Sequence, residues 1–171
     1  MPKRRRRDQI TDTISPFNSA LESGLRALCV LYEGFPEAYD SQRLIFYDYL
    51  VVHSGDVEDG PDSLHPATPF RSNEWLVRRQ LVDQGLRLLV ERGLVQPSMT
   101  VNGILYSASE TAGAFVACLN QEYTTHLRER ARWVVETFAT TTEPELVKYF
   151  DSHLDRWGAE FLPIGDWEDE V

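Results

Sequence analysis

The stretch from Arg71 to Phe115 constrains the fold more than any other part of this sequence. Apolar side chains recur at helical spacing as far as Val90, and Gly93 follows as the kind of left-handed residue that commonly ends a helix. Two short runs then flank Asn102-Gly103, a dipeptide that is among the strongest short-range signals for a β-hairpin. A second helix start at Ser107–Thr111 completes an order of long helix, hairpin and helix. That order predicts a winged helix.

The limits of these elements follow from the same residues. We expect the long helix to span residues 71–93, with Ser72 or Asn73 as its N-cap, and the strands to span 95–99 and 104–108 around a turn at 101–103. The buried side of the long helix is expected to consist of Trp75, Leu76, Leu81, Val82, Leu86, Leu89 and Val90. The next helix, 112–119, is expected to contribute Phe115, Val116 and Leu119 to the same core.

Four further helices are predicted around this unit. The first ends at Gly34, and its apolar stripe contains Leu21, Leu25, Leu28, Cys29, Leu31 and Tyr32. The second, residues 41–54, is apolar nearly all round from Leu44 to Val52 and should be the most buried helix. Its β-branched and aromatic residues leave a buried strand as the alternative. The last two occupy the stretch after residue 120, and His153 lies within the second of them.

The chain is therefore expected to be mainly α-helical with a small β-hairpin. We divide it into a basic flexible arm at 1–15, a winged-helix-like domain at 16–119 with an inserted loop at 53–70, a C-terminal helical extension at 120–162 and an acidic tail at 163–171.

Charge is distributed unevenly along the chain. Of 17 basic and 27 acidic residues, the first eight positions hold five basic residues and one acidic residue, so the remainder has 12 and 26 and a net charge of −14. An acidic body is a poor general surface for nucleic acid, because phosphate contacts rely on Lys and Arg. Candidates for a weak, nonspecific nucleic-acid contact are confined to the arm: Lys3, Arg4, Arg5, Arg6 and Arg7. The alternative is a solvated tail that aids solubility.

The loop from His53 to Phe70 contains three prolines and two glycines, which argues against a regular element. A metal site would recruit His53, Asp56 and His65 as imidazole and carboxylate ligands. No established metal-ligand spacing is present, however, and loops routinely use Asp, Ser and His to satisfy their own backbone. We therefore expect an ordered loop that docks on the domain or on a partner, with no metal and no cofactor.

Three arginines, Arg71, Arg78 and Arg79, lie in the first two turns of the long helix. In a DNA-reading winged helix, the N-terminal part of this helix enters the major groove. The alternative is that the arginines pair with acids of this protein or of a partner. From Val95 to Ser107 the hairpin contains no Lys, Arg or His, and this is local evidence against DNA readout.

The sequence contains no recognisable catalytic motif. It contains no GxSxG, no phosphate-binding loop and no Gly-rich dinucleotide turn. Cys29 and Cys118 both lie among apolar residues and are expected to be buried and reduced, which fits the cytoplasm. No apolar run approaches the roughly 20 residues that span a bilayer, and no apolar segment follows the basic arm as in a signal peptide. We expect a cytoplasmic protein that is neither an enzyme nor membrane-bound.

Three stretches carry a resemblance to a known family. They are FNSALESGLRALCVLYEGFPEAYDSQRLIFYDYLVVHSGD, SLHPATPFRSNEWLVRRQLVDQGLRLLVERGLV and HLDRWGAEF. Together they resemble the middle component of bacterial ABC three-component systems, over nearly the whole chain from Phe17 to Phe161. The most specific pieces are the loop sequence HSGD…SLHPATP and the RWGAEF near the end, since neither is explained by helix or turn chemistry.

The resemblance implies a small winged-helix adaptor, encoded between an ABC/SMC-type ATPase and an effector such as a nuclease, often in Lamassu-like anti-phage defence operons. It implies that ATPase and effector are the partners and that this chain performs no chemistry. The alternative is a winged-helix DNA-binding transcriptional regulator, and homo-oligomerisation stays open. Carried over by residue, the candidates for interface or loop-ordering roles are His53, Asp56, His65, Pro66, Arg71, Glu74, Arg78, Arg79, Arg156 and Trp157.

Overall fold

The computed structural model describes residues 19–66 and 72–154, so the arm at 1–15 and the tail at 163–171 lie outside the described residues. Within the described part there are six α-helices and a small sheet, and the mainly helical prediction is confirmed. The elements are α1 (Ala20–Glu33), β1 (Tyr39–Asp40), α2 (Ser41–Val52), α3 (Ser72–Glu91), β2 (Val95–Thr100), β3 (Gly103–Ala108), α4 (Ala112–Ala117), α5 (Glu122–Thr137) and α6 (Glu143–Leu154). The loop after α2, expected to be irregular throughout, contains one 3₁₀ turn at Ser54–Asp56.

The first two helices begin at side chains that cap them. Ser19 accepts a hydrogen bond from the backbone N–H of Glu22, and the Glu22 carboxylate accepts the N–H of Ser19, which forms a capping box. Asp40 caps α2 by accepting the N–H of Arg43 at 2.7 Å. Residues 43–52 of α2 are all buried, so this segment is the central helix and the strand alternative is wrong.

The sheet has three antiparallel strands in the order β1-β3-β2. The hairpin prediction is confirmed, with β2 and β3 paired from Val95↔Ala108 to Thr100↔Gly103. The turn is therefore Val101-Asn102, and Gly103 opens β3 with φ +128°, a conformation that suits glycine. The two-residue strand β1, which pairs Tyr39 with Tyr106, was not predicted.

Two glycines allow α1 and α3 to touch backbone to backbone. A Cβ added to Gly85 would lie 2.5 Å from the backbone nitrogen of Gly24 and 2.6 Å from the carbonyl oxygen of Ala20. A Cβ added to Gly24 would lie 3.1 Å from Gly85. The helices therefore cross with no side chain between them, and this crossing fixes α3 against the core.

Several burial predictions are wrong. The buried face of α3 contains Trp75, Val82, Leu86 and Leu89, and Leu76 lies about 100° away from Trp75 and is 56% exposed. On the short helix α4, the inner positions Ala112 and Val116 are buried, whereas Phe115 and Cys118 face outward. Leu21, in the first turn of α1, is also exposed. Cys29 is buried as expected, and its pKa is raised to about 12 mainly by burial.

The C-terminal helices are fixed to α2 through a second arginine. The Arg43 guanidinium pairs with Glu143 at the start of α6 and donates to the carbonyl oxygens of Thr141 and Phe138, which follow α5. It also donates to the hydroxyl of Tyr47 at 2.8 Å. One side chain of the central helix thus holds the connection between α5 and α6. In residues 19–66 and 72–154, no helix combines the length and apolarity that crossing a bilayer requires.

Candidate functional site

A buried carboxylate joins two guanidinium groups where α1, α2 and α3 meet. Arg26 Nε donates to Asp48 Oδ1 at 2.6 Å, and Arg78 Nη1 donates to Asp48 Oδ2. Arg26 Nη2 also donates to the Ser23 hydroxyl at 2.9 Å. The Asp48 side chain is fully buried, and those of Arg26 and Arg78 are only 3% and 12% exposed. We call Arg26, Asp48 and Arg78 the ion cluster.

The ion cluster is charged and carries a net +1. Burial by itself would raise the pKa of Asp48, but the adjacent Arg26 and Arg78 outweigh burial and hold that pKa below its usual value. Burial likewise opposes the charge of Arg26, and the attraction of Asp48 outweighs it and raises the pKa of Arg26. Two guanidinium charges therefore face one carboxylate. Arg78 Nε is buried without a hydrogen-bond partner among the described residues.

The loop that follows α2 folds back on the end of that helix. The backbone N–H groups of Leu64 and His65 both donate to the carbonyl oxygen of Val52, each at 3.0 Å. The Ser54 hydroxyl donates to the carbonyl oxygen of Asp62 at 3.1 Å. These bonds close residues 53–65 into a compact loop, which confirms the expectation that at least this part of it is ordered.

Tyr49 connects the loop to the ion cluster. Its hydroxyl donates to the carboxylate of Asp56 in the loop, and the centre of its ring lies 5.5 Å from the guanidinium carbon of Arg78. The imidazole of His53 packs on the same ring, with centroids 4.8 Å apart. A single aromatic side chain of α2 thus touches both the loop and the arginine contributed by α3.

His65 fastens the far end of the loop to α5. Its Nε2 lies 2.9 Å from the hydroxyl oxygen of Tyr123, and the two rings are stacked with an interplanar angle of 13°. The His53 ring meets the His65 ring edge to face, with centroids 6.2 Å apart. The loop is therefore held by the end of α2, by Tyr49 and by Tyr123. It is also held by Arg130 of α5, whose Nε donates to the carbonyl oxygen of Asp62 at 3.0 Å.

Both loop histidines are neutral at physiological pH. The pKa of His53 is lowered to about 4, mainly by burial and next by the positive charge of Arg78. Burial is also the main cause of the lowered pKa of His65, followed by the charges of Arg26 and Arg78. The two neutral imidazoles lie near the net-positive ion cluster and add no charge to it.

This arrangement orders the loop. Asp56 accepts a hydrogen bond from Tyr49, and His65 is bonded to Tyr123, so two of the three side chains considered as metal ligands already have protein partners. Among the described residues, no group of three or more His, Cys, Asp or Glu side chains could hold a metal ion. The described geometry brings His53, Asp56 and Arg78 together around Tyr49. His65 lies beside His53 and is bonded to Tyr123.

The remaining candidate residues are dispersed or lie outside the described residues. Pro66 ends the first described range and is exposed, and Arg79 is exposed with no ion pair in the described part of the chain. Arg78 pairs with Asp48. Of the two expectations for this arginine, the structure shows pairing with an acid of this protein. Outside the described residues lie Lys3, Arg4, Arg5, Arg6, Arg7, Arg71, the side chain of Glu74, Arg156 and Trp157.

Four residues of this site were not predicted, namely Arg26, Asp48, Tyr49 and Tyr123. A signal existed for two of them, because Arg26 interrupts an apolar stripe and Asp48 interrupts the apolar run LIFYDYLVV. A lone charge inside such a run requires a partner when it is buried. Which partner it meets depends on how the helices pack, and the spacing of the residues does not reveal it.

Comparison with known proteins gives one family. Residues 16–160 match the family model described as ABC-three component (ABC-3C) system Middle Component 2. No curated protein and no solved structure gives a significant match to the chain. The matched range includes every described residue, and therefore the whole ion cluster and its loop.

Proposed function

We propose that this chain, which belongs to the ABC-three component (ABC-3C) system Middle Component 2 family, is a non-catalytic adaptor that links an ABC/SMC-type ATPase to an effector such as a nuclease. As a member of this family, it is an accessory component of a multi-component system. The family match over residues 16–160 is the observation that carries the proposal. We assign it to a Lamassu-like anti-phage defence complex in the bacterial cytoplasm, a location that two free cysteines support.

The order of the elements supports a winged-helix assignment. A helix, a short strand, two helices and a hairpin follow one another, and the short strand joins the sheet beside β3. In such a fold α3 would occupy the position of the recognition helix, and the β2–β3 hairpin would be the wing. Here the connection between α2 and α3 runs from residue 53 to 71, where a helix-turn-helix has a turn of a few residues. We assign the ordered loop in this connection to partner recognition.

The distribution of charge favours a protein partner over DNA. Arg78, one of the three arginines that the sequence places in the first turns of the long helix, is directed into the ion cluster. The hairpin presents no base from Val95 to Ser107. Apart from its first eight residues, the chain carries −14. A DNA reader needs cations on its helix and wing. For the arm we propose only a weak, nonspecific DNA contact.

Residues of the site divide into two proposed roles. His53, Asp56, His65 and Arg78 order the loop, since their contacts described above lie within the protein. For contact with the ATPase or the effector we propose Pro66, Arg71, Glu74, Arg79, Arg156 and Trp157.

Co-expression with the two neighbouring components tests the adaptor function. We expect the ATPase, this chain and the effector to co-purify as one complex, and the chain alone to show no hydrolytic activity. A chain that co-purified with neither component, yet bound one promoter sequence tightly, would instead be the DNA-binding regulator. A gel shift at two salt concentrations, with and without residues 1–15, separates promoter binding from arm contact, because only the latter vanishes with the arm.

A further inference from the structure

One face of the β2–β3 hairpin is apolar from the core to the tip. Alternate residues of a strand lie on the same face, so the cross-strand pairs Val95↔Ala108, Pro97↔Tyr106 and Met99↔Ile104 form one continuous surface. Val101 follows in the turn. We call Pro97, Met99, Val101, Ile104 and Tyr106 the hairpin strip.

The hairpin strip leaves the core and becomes exposed along its length. Val95 and Ala108, at its base, are 2% and 4% exposed, whereas Met99 is 81% exposed and Val101 is 101% exposed. Ile104, opposite Met99, is 41% exposed. Among the described residues, nothing covers the tip. An apolar surface that continues the core and then meets solvent marks a contact site for another molecule.

Exposed cations of α3 lie beside this strip. Burial and then Asp83 raise the pKa of Tyr106, while Arg87 lowers it, so both side chains of α3 are near enough to act electrostatically on the tyrosine. Arg79, Asp83 and Arg87 are spaced four residues apart and so share one side of the helix. Arg79 and Arg87 are exposed and form no ion pair within the described part of the chain, whereas Asp83 is partly buried. The strip is apolar, and the exposed charges on this side of α3 are the two arginines.

These features exclude two classes of occupant. Nucleic acid requires cations on the hairpin, and the segment from Val95 to Ser107 has none. A second copy of this chain would bring together two molecules of net charge −10, and the tip of three exposed side chains is far smaller than the roughly 800 Å² per partner of a stable interface. A short segment that inserts apolar side chains suits an area of this size.

We infer that the hairpin strip, with Arg79 and Arg87, binds an amphipathic helix of a protein partner. The helix lays its apolar side chains on Met99, Val101 and Ile104 and presents acidic side chains to the two arginines. This inference rests on the proposed function, because it gives one of the two partner proteins a specific docking surface. The hairpin then serves as a recognition element for a protein segment.

The test uses the full chain and the separately purified ATPase and effector encoded beside it. Biolayer interferometry measures the Kd for each component with wild type and with the double variant Met99→Ser/Val101→Ser. Leu21→Ser is the matched control, since Leu21 is 62% exposed and lies on α1 outside the strip. We expect the double variant to weaken binding to one component by about 10-fold or more and the control to change it by less than about 2-fold.

A second variant examines the charged border. Arg79→Glu/Arg87→Glu should weaken binding to the same component and remove the salt dependence seen with wild type. Equal affinities of wild type and the double serine variant would overturn the inference while leaving the adaptor function intact. Absence of binding by wild type itself would count against the adaptor function instead.

Two further measurements test the other occupants, a second copy of this chain and nucleic acid. In sedimentation, a wild-type dimer that Met99→Ser/Val101→Ser dissociates would overturn the inference in favour of a second copy. In fluorescence anisotropy with a 20-base-pair duplex, binding that the same variant abolishes would overturn it in favour of nucleic acid. A monomer with duplex binding unaffected by the variant, together with the loss of binding to one component, supports the inference.

Discussion

Charged side chains usually lie at the surface and apolar side chains inside, and the ion cluster and the tip of the hairpin depart from this rule in opposite ways. Asp48 is a fully buried charge at the junction of three helices, whereas Met99 and Val101 are apolar side chains almost fully in water. A buried charge is tolerated only with partners, so the cluster makes one arrangement of the helices and loop much more stable than others. An exposed apolar tip adds little to folding. The first feature serves the fold, and the second serves a contact with another molecule.

The largest effect on stability is expected at Asp48. Asp48→Asn preserves the shape but leaves Arg26 and Arg78 buried without a countercharge, which should lower the free energy of unfolding by about 3–5 kcal/mol. Urea unfolding followed by circular dichroism measures the loss. Glu58→Gln, at an exposed position of the loop after α2, is the control. It should change the free energy of unfolding by less than about 0.5 kcal/mol. Similar losses in the two variants would remove the contrast between the ion cluster and the surface.

Acid should weaken the same region through His53. Its pKa is lowered to about 4 in the folded protein, against about 6.5 in the unfolded chain, so the unfolded state takes up more protons between these values. Stability should therefore be fully present above about pH 6.5 and fall by on the order of 3 kcal/mol as the pH drops to about 4. Urea titrations at several pH values measure this slope. His53→Gln should flatten it, and an unchanged slope would assign the proton uptake to other groups.

A smaller effect is expected where α1 and α3 cross. Gly85→Ala would place a methyl group 2.5 Å from the Gly24 nitrogen, and backbone atoms cannot yield as a flexible side chain does. The better helix propensity of Ala, about 1 kcal/mol, opposes this effect, and we expect a net loss of about 1–3 kcal/mol. Thermal unfolding measures the change. Gln84→Ala, at the adjacent exposed position, is the control. If Gly85→Ala were as stable as this control, the two helices would be able to move apart without loss of stability.

The smallest effect on stability is expected at the hairpin tip. Met99→Ser/Val101→Ser removes side chains that are already in water, so the free energy of unfolding should change by less than about 0.5 kcal/mol. The measurement is the same urea titration that is applied to Asp48→Asn. A loss above 2 kcal/mol would mean that the tip supports the fold, and the comparison between the two regions would fail.

The sequence predicts the local part of this structure and misses its long-range part. Helical spacing, Gly93 and Asn102-Gly103 are sufficient to predict α3 and the hairpin, because these signals act within a few residues. The strand β1 was missed since its two residues are stabilised only by pairing with β3. The cluster was missed for the same reason, as Arg26 and Arg78 are 22 and 30 residues from Asp48. His53, Asp56 and His65 were singled out first as possible metal ligands in the loop and then through the resemblance, and their contacts became evident only from the packing.

Asp40 connects the sheet mechanically to α2. Its backbone pairs with Leu105 in the sheet, while its side chain caps α2 through the N–H of Arg43. A load that displaces β3 from α2 must either open this strand pairing or pull on the first turn of α2. The same helix carries Asp48 about two turns from its start. Traction applied at the hairpin would thus reach the first turn of α2 through a two-residue strand pairing.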